Sequence, residues 1–100
     1  MKTTISKNGS NVLVTVKGRL TTDEAAGFLK DIEPLMEERN ADIAMDLAGL
    51  DFISSAGIRC LVMLLKACQA NGSKLTLRNL TAQLKDILTL TALMDKFNVE

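Results

Sequence analysis

The stretch from residue 43 to residue 68 constrains the fold more than any other part of the chain. It opens with the apolar run Ile43–Met45, ends that run at Asp46, and continues through small and polar residues to the serine pair Ser54–Ser55. From Ser55 to Ala70, apolar residues recur with the period of one helix face. The order is therefore strand, loop and helix, with two serines where the helix begins. The residues expected on the buried face of this helix are Ile58, Leu61, Leu64, Leu65 and Cys68.

The start of that helix suits a serine in either of two roles. The first backbone N–H groups of a helix have no intrahelical partner, and a serine side chain is a favoured acceptor for them. The same end carries about half an elementary positive charge, so it tolerates an anion such as phosphate. The loop that follows the carboxyl end of a strand is also a common place for ligands and partners. A serine here is a helix cap, a modification site or both.

Upstream, the chain predicts a β-hairpin. Residues 3–7 and 12–17 are rich in strand-forming residues and flank the turn cluster Asn8–Asn11. Gly18 is expected to end the second strand. The order of the strands in the sheet is not readable from the sequence.

The first helix has a start signal and a break signal. Thr21 and Glu24 have the spacing of a capping box, with Thr21 at the N-cap. Pro34 lies deep in the apolar pattern that follows, and because proline lacks a backbone N–H and clashes with the preceding turn, we expect a kink or break near Glu33. Residues 41–46 are too short for a helix and predict a buried parallel strand.

Strand and helix signals alternate in the last third of the chain. Gly72 suits a left-handed C-cap, residues 74–78 alternate as a strand does, residues 83–90 predict a short helix, and residues 97–99 predict a final edge strand. The whole pattern predicts an α/β fold in a single domain over residues 1–100. Its sheet would be mixed and mostly parallel, with an N-terminal β-hairpin and packed helices.

Composition excludes several classes of function. The 100 residues include 12 basic and 12 acidic side chains, so the formal net charge is zero, and all three aromatic residues are phenylalanine. A nucleic-acid partner is not expected, because its binding needs clustered excess base and aromatic rings for stacking. The chain has no histidine. This removes Ser-His-Asp hydrolysis and the commonest zinc ligand, so we expect neither an enzyme nor a metal or other cofactor.

The chain is also expected to be cytoplasmic, without a membrane partner. No segment reaches the roughly 18 consecutive apolar residues of a membrane span, and the N-terminus lacks the apolar core of a signal peptide. On one helix, Cys60 and Cys68 would lie about 12 Å apart along the axis, whereas a disulfide needs Cα atoms within about 7 Å. We therefore expect two reduced thiols in the core.

The segment from Asp46 to Val62, DLAGLDFISSAGIRCLV, resembles the signature of the STAS domain, specifically that of bacterial anti-sigma factor antagonists. Those domains carry an apolar strand, Asp-Leu-x-x-Leu, a short linker, and then a serine or threonine that begins a helix and precedes a small residue and glycine. The resemblance makes Ser55 the phosphorylatable serine, ahead of Ser54, and Gly57 the motif glycine. Well-known members have aspartate where this chain has Ser54. They commonly end with one more helix, before which this chain stops.

The resemblance implies a regulatory function. Such a domain, when unphosphorylated, binds an anti-sigma factor and thereby releases a sigma factor. The anti-sigma factor is itself an ATP-dependent serine kinase that phosphorylates its antagonist, and a Ser/Thr phosphatase reverses the modification. Arg59, Val62 and Lys66 follow Ser55 on one outward helix stripe, away from the core positions. The residues expected to contact the partner are Asp46, Ser54, Ser55, Ala56, Gly57, Arg59, Val62, Met63 and Lys66.

Three residues near the serine pair also have structural expectations. Asp46 would lie at the end of its strand, close to the same junction, as a loop or capping residue. Gly57 would allow the helix start to pack closely, and Gly49 would serve a turn.

Other interpretations stay open at this point. The domain could be a non-phosphorylated STAS adaptor, bound constitutively in a lipid-transport or stress-signalling complex. Ser54 or Ser55 could simply cap the helix, which is worth about 1 kcal/mol. A hydrolase that uses Ser55 is disfavoured because there is no histidine and no G-x-S-x-G motif, and a nucleotide-binding protein because there is no G-x-x-x-x-G-K-[ST] loop. The oligomeric state is not predicted.

Overall fold

The computed structural model describes residues 1–100 and confirms the predicted α/β order. Two short 3-10 segments, Glu33–Glu37 and Met94–Lys96, accompany the main elements. None of the helices has the length and apolar character that crossing a membrane requires. The strands and helices are β1 (Lys2–Asn8), β2 (Asn11–Leu20), α1 (Thr22–Ile32), β3 (Asp42–Ile53), α2 (Ser55–Ala70), β4 (Lys74–Arg78), α3 (Ala82–Leu90) and β5 (Asn98–Val99).

The five strands form one mixed sheet in the order β1-β2-β3-β4-β5. β1 and β2 form the predicted antiparallel hairpin, and every other neighbouring pair is parallel. Each parallel connection contains one helix, and each step moves one strand further along the sheet in the same direction. The helices are the crossovers that parallel pairing requires.

The three helices pack on one face of this sheet. Alternate strand residues such as Val14, Met45 and Leu77 belong to a single buried cluster together with apolar residues of all three helices. On the opposite face Leu13 is 41% exposed, and the buried Ala44 lies outside that cluster. The sheet therefore has one apolar face under the helices and one open, mostly polar face, as the two-residue period of a strand allows.

The central pair of strands is longer than the sequence predicts. β2 does not end at Gly18 but continues to Leu20, and Gly18 has a φ of 108°, a conformation that favours glycine. β3 likewise continues past Asp46 to Ile53. The polar and small residues predicted as a loop are therefore strand.

Two β-bulges explain that misassignment. Thr15 pairs with Asp46, but the next pair joins Lys17 to Gly49, so β3 contains an extra residue there; a second extra residue follows Leu50. A bulge breaks the alternation on which strand recognition depends. Gly49 does not serve a turn: it lies in this bulged strand, where an added Cβ would be 2.9 Å from Cγ of Lys17.

The first helix follows the predicted bounds without the predicted cap. Thr21 is the N-cap residue, but its side chain accepts no cap hydrogen bond; its carbonyl oxygen accepts one from the N–H of Glu24, 3.1 Å away. The capping box is therefore not formed. α1 ends at Ile32 and the chain continues as the 3-10 segment that contains Pro34, which confirms the predicted break.

Helix α2 occupies the predicted range, but its buried face is wider. Besides packing on the sheet it contacts α1, where Sγ of Cys60 donates to the carbonyl oxygen of Ala25, 3.6 Å away. Gly57 and Cys60 are consequently buried in addition to three of the predicted residues, while the other two predicted residues are only half-buried. The buried three are Leu61, Leu64 and Cys68, and the half-buried two are Ile58 and Leu65.

Candidate functional site at the start of α2

The backbone holds the start of α2 at the edge of the sheet. Leu20 and Ile53 form the last pair between β2 and β3, and the N–H of Ser54 donates to the carbonyl oxygen of Leu20, 2.8 Å away. Leu20 also leads into α1, whose first residue is Thr22. The starts of α1 and α2 are therefore joined through one backbone hydrogen bond at the carboxyl edge of the sheet.

Ser54 is the cap of α2. Its backbone is extended, with φ −82° and ψ 167°, and its Oγ accepts a hydrogen bond from the N–H of Gly57, 3.1 Å away. Ser54 is only 8% exposed. This hydroxyl satisfies one of the N–H groups that the first helical turn leaves without a partner.

Ser55 is the first residue of α2 and is exposed. Because Ser54 supplies the cap, the hydroxyl of Ser55 is not needed for the helix start. Its environment is that of an ordinary alcohol, since the chain contains no histidine that could act as a base toward it. The site therefore presents an exposed serine at the positively polarised end of a helix.

Gly57 packs closely against the ends of β2 and β3. A Cβ added to this residue would lie 2.7 Å from Cγ of Leu20 and 2.9 Å from Cγ1 of Ile53. No side chain larger than hydrogen fits without displacing these apolar groups. The close packing expected for Gly57 is confirmed.

The outward stripe of α2 differs from expectation at one position. Ser55, Arg59 and Lys66 are exposed, but Val62 is half-buried and packs against the core. The chain that follows α3 lies along this side of α2, and Leu93 and Val62 line the same concavity. Among the other expected contact residues, Met63 is 42% exposed, Ala56 is half-buried, and Ser54 and Gly57 are buried.

Asp46 is not at the junction where it was expected. It lies inside β3 opposite Thr15, five residues before Leu20 on β2, so it is on the order of 16 Å from the start of α2. Its carboxylate accepts hydrogen bonds from the N–H of Ala48 at 3.0 Å and from Nδ2 of Asn79 at 3.1 Å. The Ala48 bond first, and then the Asn79 bond, lower the pKa of Asp46. This carboxylate holds the first bulge of β3 and ties it to the end of β4.

The charges along α2 have a single sign. The helix carries Arg59 and Lys66 and no aspartate or glutamate, and neither cation has a carboxylate within 4.0 Å. Arg59 is one turn after Ser55, on the same side of the helix. The helix dipole and Arg59 both favour a negative group at Ser55.

Arg19 is a residue of this edge that the sequence did not indicate. It pairs with Phe52 one position before the last β2–β3 pair, and its guanidinium lies 4.8 Å from the centre of the Phe52 ring. This distance is that of a cation–π contact. Only the second bulge of β3 brings the two side chains into register, so no local sequence pattern could have found them.

The cysteines are not part of the site. Cys60 and Cys68 are free and buried, as the sequence predicted. Burial raises the pKa of both thiols. Because the thiolate is the reactive form, both behave as small apolar core residues.

Comparison with known proteins places this architecture in a family. A family model described as "Mlab, STAS domain" matches residues 3–98. BtrV of Bordetella bronchiseptica, named as an anti-sigma factor antagonist, is 22% identical over 99 residues, which cover 99% of this chain and 85% of BtrV. A crystal structure of an anti-sigma factor antagonist from Thermotoga maritima superposes with a TM-score of 0.87 at 20% identity, covering 97% of this chain and 84% of that chain.

A further solved relative exists in two chemical forms. Unphosphorylated SpoIIAA, an anti-sigma factor antagonist, has a TM-score of 0.82 at 13% identity over 99% of this chain and 88% of its own. Phosphorylated SpoIIAA, described as a Bacillus cell fate determinant, has a TM-score of 0.76 at 13% identity over 99% and 91%. The family model and these solved structures cover almost the entire chain, and the helix-start motif lies within the matched residues. The chain belongs to the STAS domain family.

Proposed function

We propose that the protein is an anti-sigma factor antagonist that binds an anti-sigma factor through α2 and is switched off by phosphorylation of Ser55. The observation that carries the proposal is the division of roles within the serine pair: Ser54 is buried and caps the helix, whereas Ser55 is exposed and free of that task. The names of the relatives BtrV and SpoIIAA support the choice of partner. The activity is regulatory binding rather than catalysis.

A phosphate on Ser55 is compatible with the fold of this domain. Phosphoserine carries a charge of about −1.5 to −2. The positive end of the α2 dipole stabilises that charge, and Arg59 is within reach one turn further on. SpoIIAA has been solved with this overall fold both with and without phosphate, which supports the same tolerance here.

The same phosphate is not compatible with a dry interface. An anti-sigma factor that covers Ser55 would have to desolvate the phosphate, and a buried charge without a paired cation is costly. A hundredfold loss of affinity corresponds to about 2.7 kcal/mol, which is well within the cost of one such group. Phosphorylation by the anti-sigma factor kinase would therefore end binding, and a Ser/Thr phosphatase would restore it.

Ser54 in place of the family's aspartate keeps the helix cap. Serine and aspartate are both favoured N-cap residues because each offers an oxygen to the N–H groups of the first turn. The substitution removes one negative charge beside Ser55. Ser55 therefore has no carboxylate immediately before it in the sequence.

The proposal is tested by measuring binding to the anti-sigma factor kinases encoded in the genome that carries this gene. Calorimetry with the purified proteins compares wild type, Ser55→Asp and Ser55→Ala. The matched control is Ala82→Asp, which adds the same charge at the exposed first residue of α3, a helix capped by Thr81. Incubation with ATP and mass spectrometry identify the modified residue.

We expect one kinase to bind wild type and Ser55→Ala, and to bind Ser55→Asp about a hundredfold more weakly. Ala82→Asp should bind like wild type, and all variants should have similar melting temperatures. Phosphate should appear on wild type and not on Ser55→Ala. If wild type binds no anti-sigma factor, the proposed function is wrong; if Ser55→Asp binds as wild type does, the switch is wrong.

A second candidate function is a constitutively bound STAS adaptor. The observation in its favour is that the matching family model is described by the name Mlab and not as an anti-sigma factor antagonist. Under this alternative Ser55 would be unmodified in both growing and starved cells. Mass spectrometry of the native protein from the two conditions distinguishes the candidates.

A further inference from the structure

We propose that the second half of α2 and the chain after α3 form a docking groove for an acidic amphipathic segment of a partner protein. The groove has a volume of about 220 Å³ and is lined by Val62, Leu65, Lys66, Gln69, Leu93 and Lys96. The inference rests on the proposed function in taking α2 as the face that meets the partner. It adds the chemistry of that partner.

The wall opposite α2 is fixed by the backbone. α3 ends in a left-handed turn at Ala92, with φ 58°, and the N–H of Leu93 donates to the carbonyl oxygen of Leu88, 2.8 Å away. The N–H of Ala92 donates to the carbonyl oxygen of Thr89 at 3.0 Å. These two bonds are those of a Schellman motif, which satisfies the last carbonyls of a helix. Leu93 is therefore held against α2 by the end of α3.

The groove is positively charged at its rim. Lys66 and Lys96 line it, and neither has a carboxylate within 4.0 Å. α2 contributes no acidic residue, and Asp95, although exposed, does not line the groove. In a chain with no net charge this is a local excess of cations around an apolar floor. The complementary surface is an apolar side chain flanked by carboxylates.

The size of the groove favours a protein side chain over a small molecule. Its volume of ≈ 220 Å³ is below the roughly 300–1,000 Å³ of small-molecule pockets. Val62, Leu65 and Leu93 form the apolar part of its lining. An amphipathic helix that presents apolar residues at i, i+3 and i+4 can place one of them in the groove.

The groove is continuous with the surface around Ser55. Val62 is seven residues after Ser55 on the same stripe, so the two are about 10 Å apart along the axis. This exceeds the screening length of about 8 Å at physiological ionic strength, so the charge of a phosphate on Ser55 acts mainly at the start of α2 and is largely screened at the groove.

The test uses two synthetic amphipathic peptides of about 15 residues with identical apolar positions. One peptide carries glutamate at all of its non-apolar positions, and the second peptide carries lysine at those same positions. Each is titrated into the ¹⁵N-labelled protein while amide resonances are followed by NMR. The protein variants are the double charge reversal Lys66→Glu with Lys96→Glu, and a matched control, Lys2→Glu with Lys30→Glu, which reverses two exposed lysines on β1 and α1.

We expect the acidic peptide to shift the resonances of Val62, Leu65, Leu93 and Lys96, and the basic peptide to leave them unchanged. The groove reversal should lower the affinity about tenfold and the control less than about twofold. Raising the salt concentration from about 0.05 M to about 0.5 M should weaken binding. Circular dichroism verifies that both double variants are folded.

The inference is overturned if the acidic peptide causes no shifts in the groove, if the basic peptide binds equally well, or if the two double variants behave alike. That failure is separate from failure of the proposed function. The peptide titration does not involve an anti-sigma factor, and the Ser55→Asp comparison does not involve the lysines of the groove.

Discussion

Oγ of Ser54 and the backbone nitrogen of Gly57 are 3.1 Å apart, and the hydrogen bond between them caps α2. The bond is buried, and it assigns the capping role to the first serine of the pair. Ser55 is left at the surface with its hydroxyl available. The proposed switch depends on this separation, because a hydroxyl needed for the fold could not be modified without cost.

Alanine substitution of each serine separates the two roles. Ser54→Ala should lower the free energy of unfolding by about 1 kcal/mol, because the N–H of Gly57 loses its buried acceptor. Ser55→Ala should change it by less than about 0.5 kcal/mol, as expected for a surface residue. Urea denaturation of both variants measures the difference. Equal destabilisation by the two substitutions would contradict the assignment of the cap.

Gly57→Ala should destabilise the protein even though alanine favours helix formation. The added methyl would meet Leu20 and Ile53 at less than 3.0 Å, and overpacking of this kind costs about 1–3 kcal/mol. Gly27→Ala is the matched control within α1, since an added Cβ there has no atom within 4 Å. That substitution should stabilise the protein by about 0.5–1 kcal/mol. Thermal denaturation measures the melting temperatures of both variants. If the two substitutions shifted the melting temperature in the same direction, the explanation from close packing would be refuted.

The contribution of Asp46 to stability should depend on pH. Its pKa is lowered in the folded protein, mainly by the N–H of Ala48 and then by Asn79, so the unfolded chain binds the proton more readily. The stabilisation is therefore complete above the unfolded pKa of about 3.9 and is lost as the pH falls through the lower folded value.

Asp46→Asn isolates this effect. The variant should be less stable than wild type near neutral pH, and the difference should shrink as the pH is lowered below about 4. Urea denaturation at a series of pH values measures it. Asp51→Asn, at an exposed carboxylate on the same strand, serves as the control. A difference between Asp46→Asn and wild type that stayed constant down to the acid transition would show that the carboxylate charge is not involved.

Ala92→Gly should stabilise the protein. Ala92 has a φ of 58°, and this left-handed conformation costs an L-residue about 1–2 kcal/mol. Glycine avoids that cost, but its greater flexibility in the unfolded chain offsets part of the gain in stability. We expect a net gain of about 0.5–1 kcal/mol, since glycine is the usual residue at this position of a helix end. Chemical denaturation measures the gain. Ala82→Gly, at the start of the same helix, is the control and should produce no such gain. A loss of stability in Ala92→Gly would show that the backbone at Ala92 is not strained.

Features set by neighbouring residues were predictable from the sequence. The bounds of α2 and β4, the hairpin turn, the left-handed Gly72 and the break at Pro34 all match the predictions. Each depends on interactions within a few residues, such as a missing N–H, an apolar period or a glycine that tolerates positive φ. The family motif itself is local as well, since it lies within one strand and the following helix.

Features that depend on strand register were not predictable. The bulges of β3 extend the strand to Ile53, move Asp46 away from the serine pair and bring Arg19 over Phe52. No local pattern encodes them, because they arise from pairing between strands that are distant in the sequence. Val62 is a similar case. The helical period predicts that it faces outward, but Leu93, from the segment after α3, lies across the same groove, and Val62 is half-buried.

The sequence by itself determined that two adjacent serines begin an apolar helix after a strand, and that no histidine is present for a Ser-His-Asp triad or a histidine-ligated zinc site. Only the tertiary structure decided which serine is the cap and which is exposed. The reason is physical: the backbone of Ser54 is anchored to Leu20 across the sheet, which turns its side chain inward to Gly57 and leaves Ser55 in solvent. Contacts between distant parts of the chain determine burial, and burial determines which hydroxyl is accessible for modification.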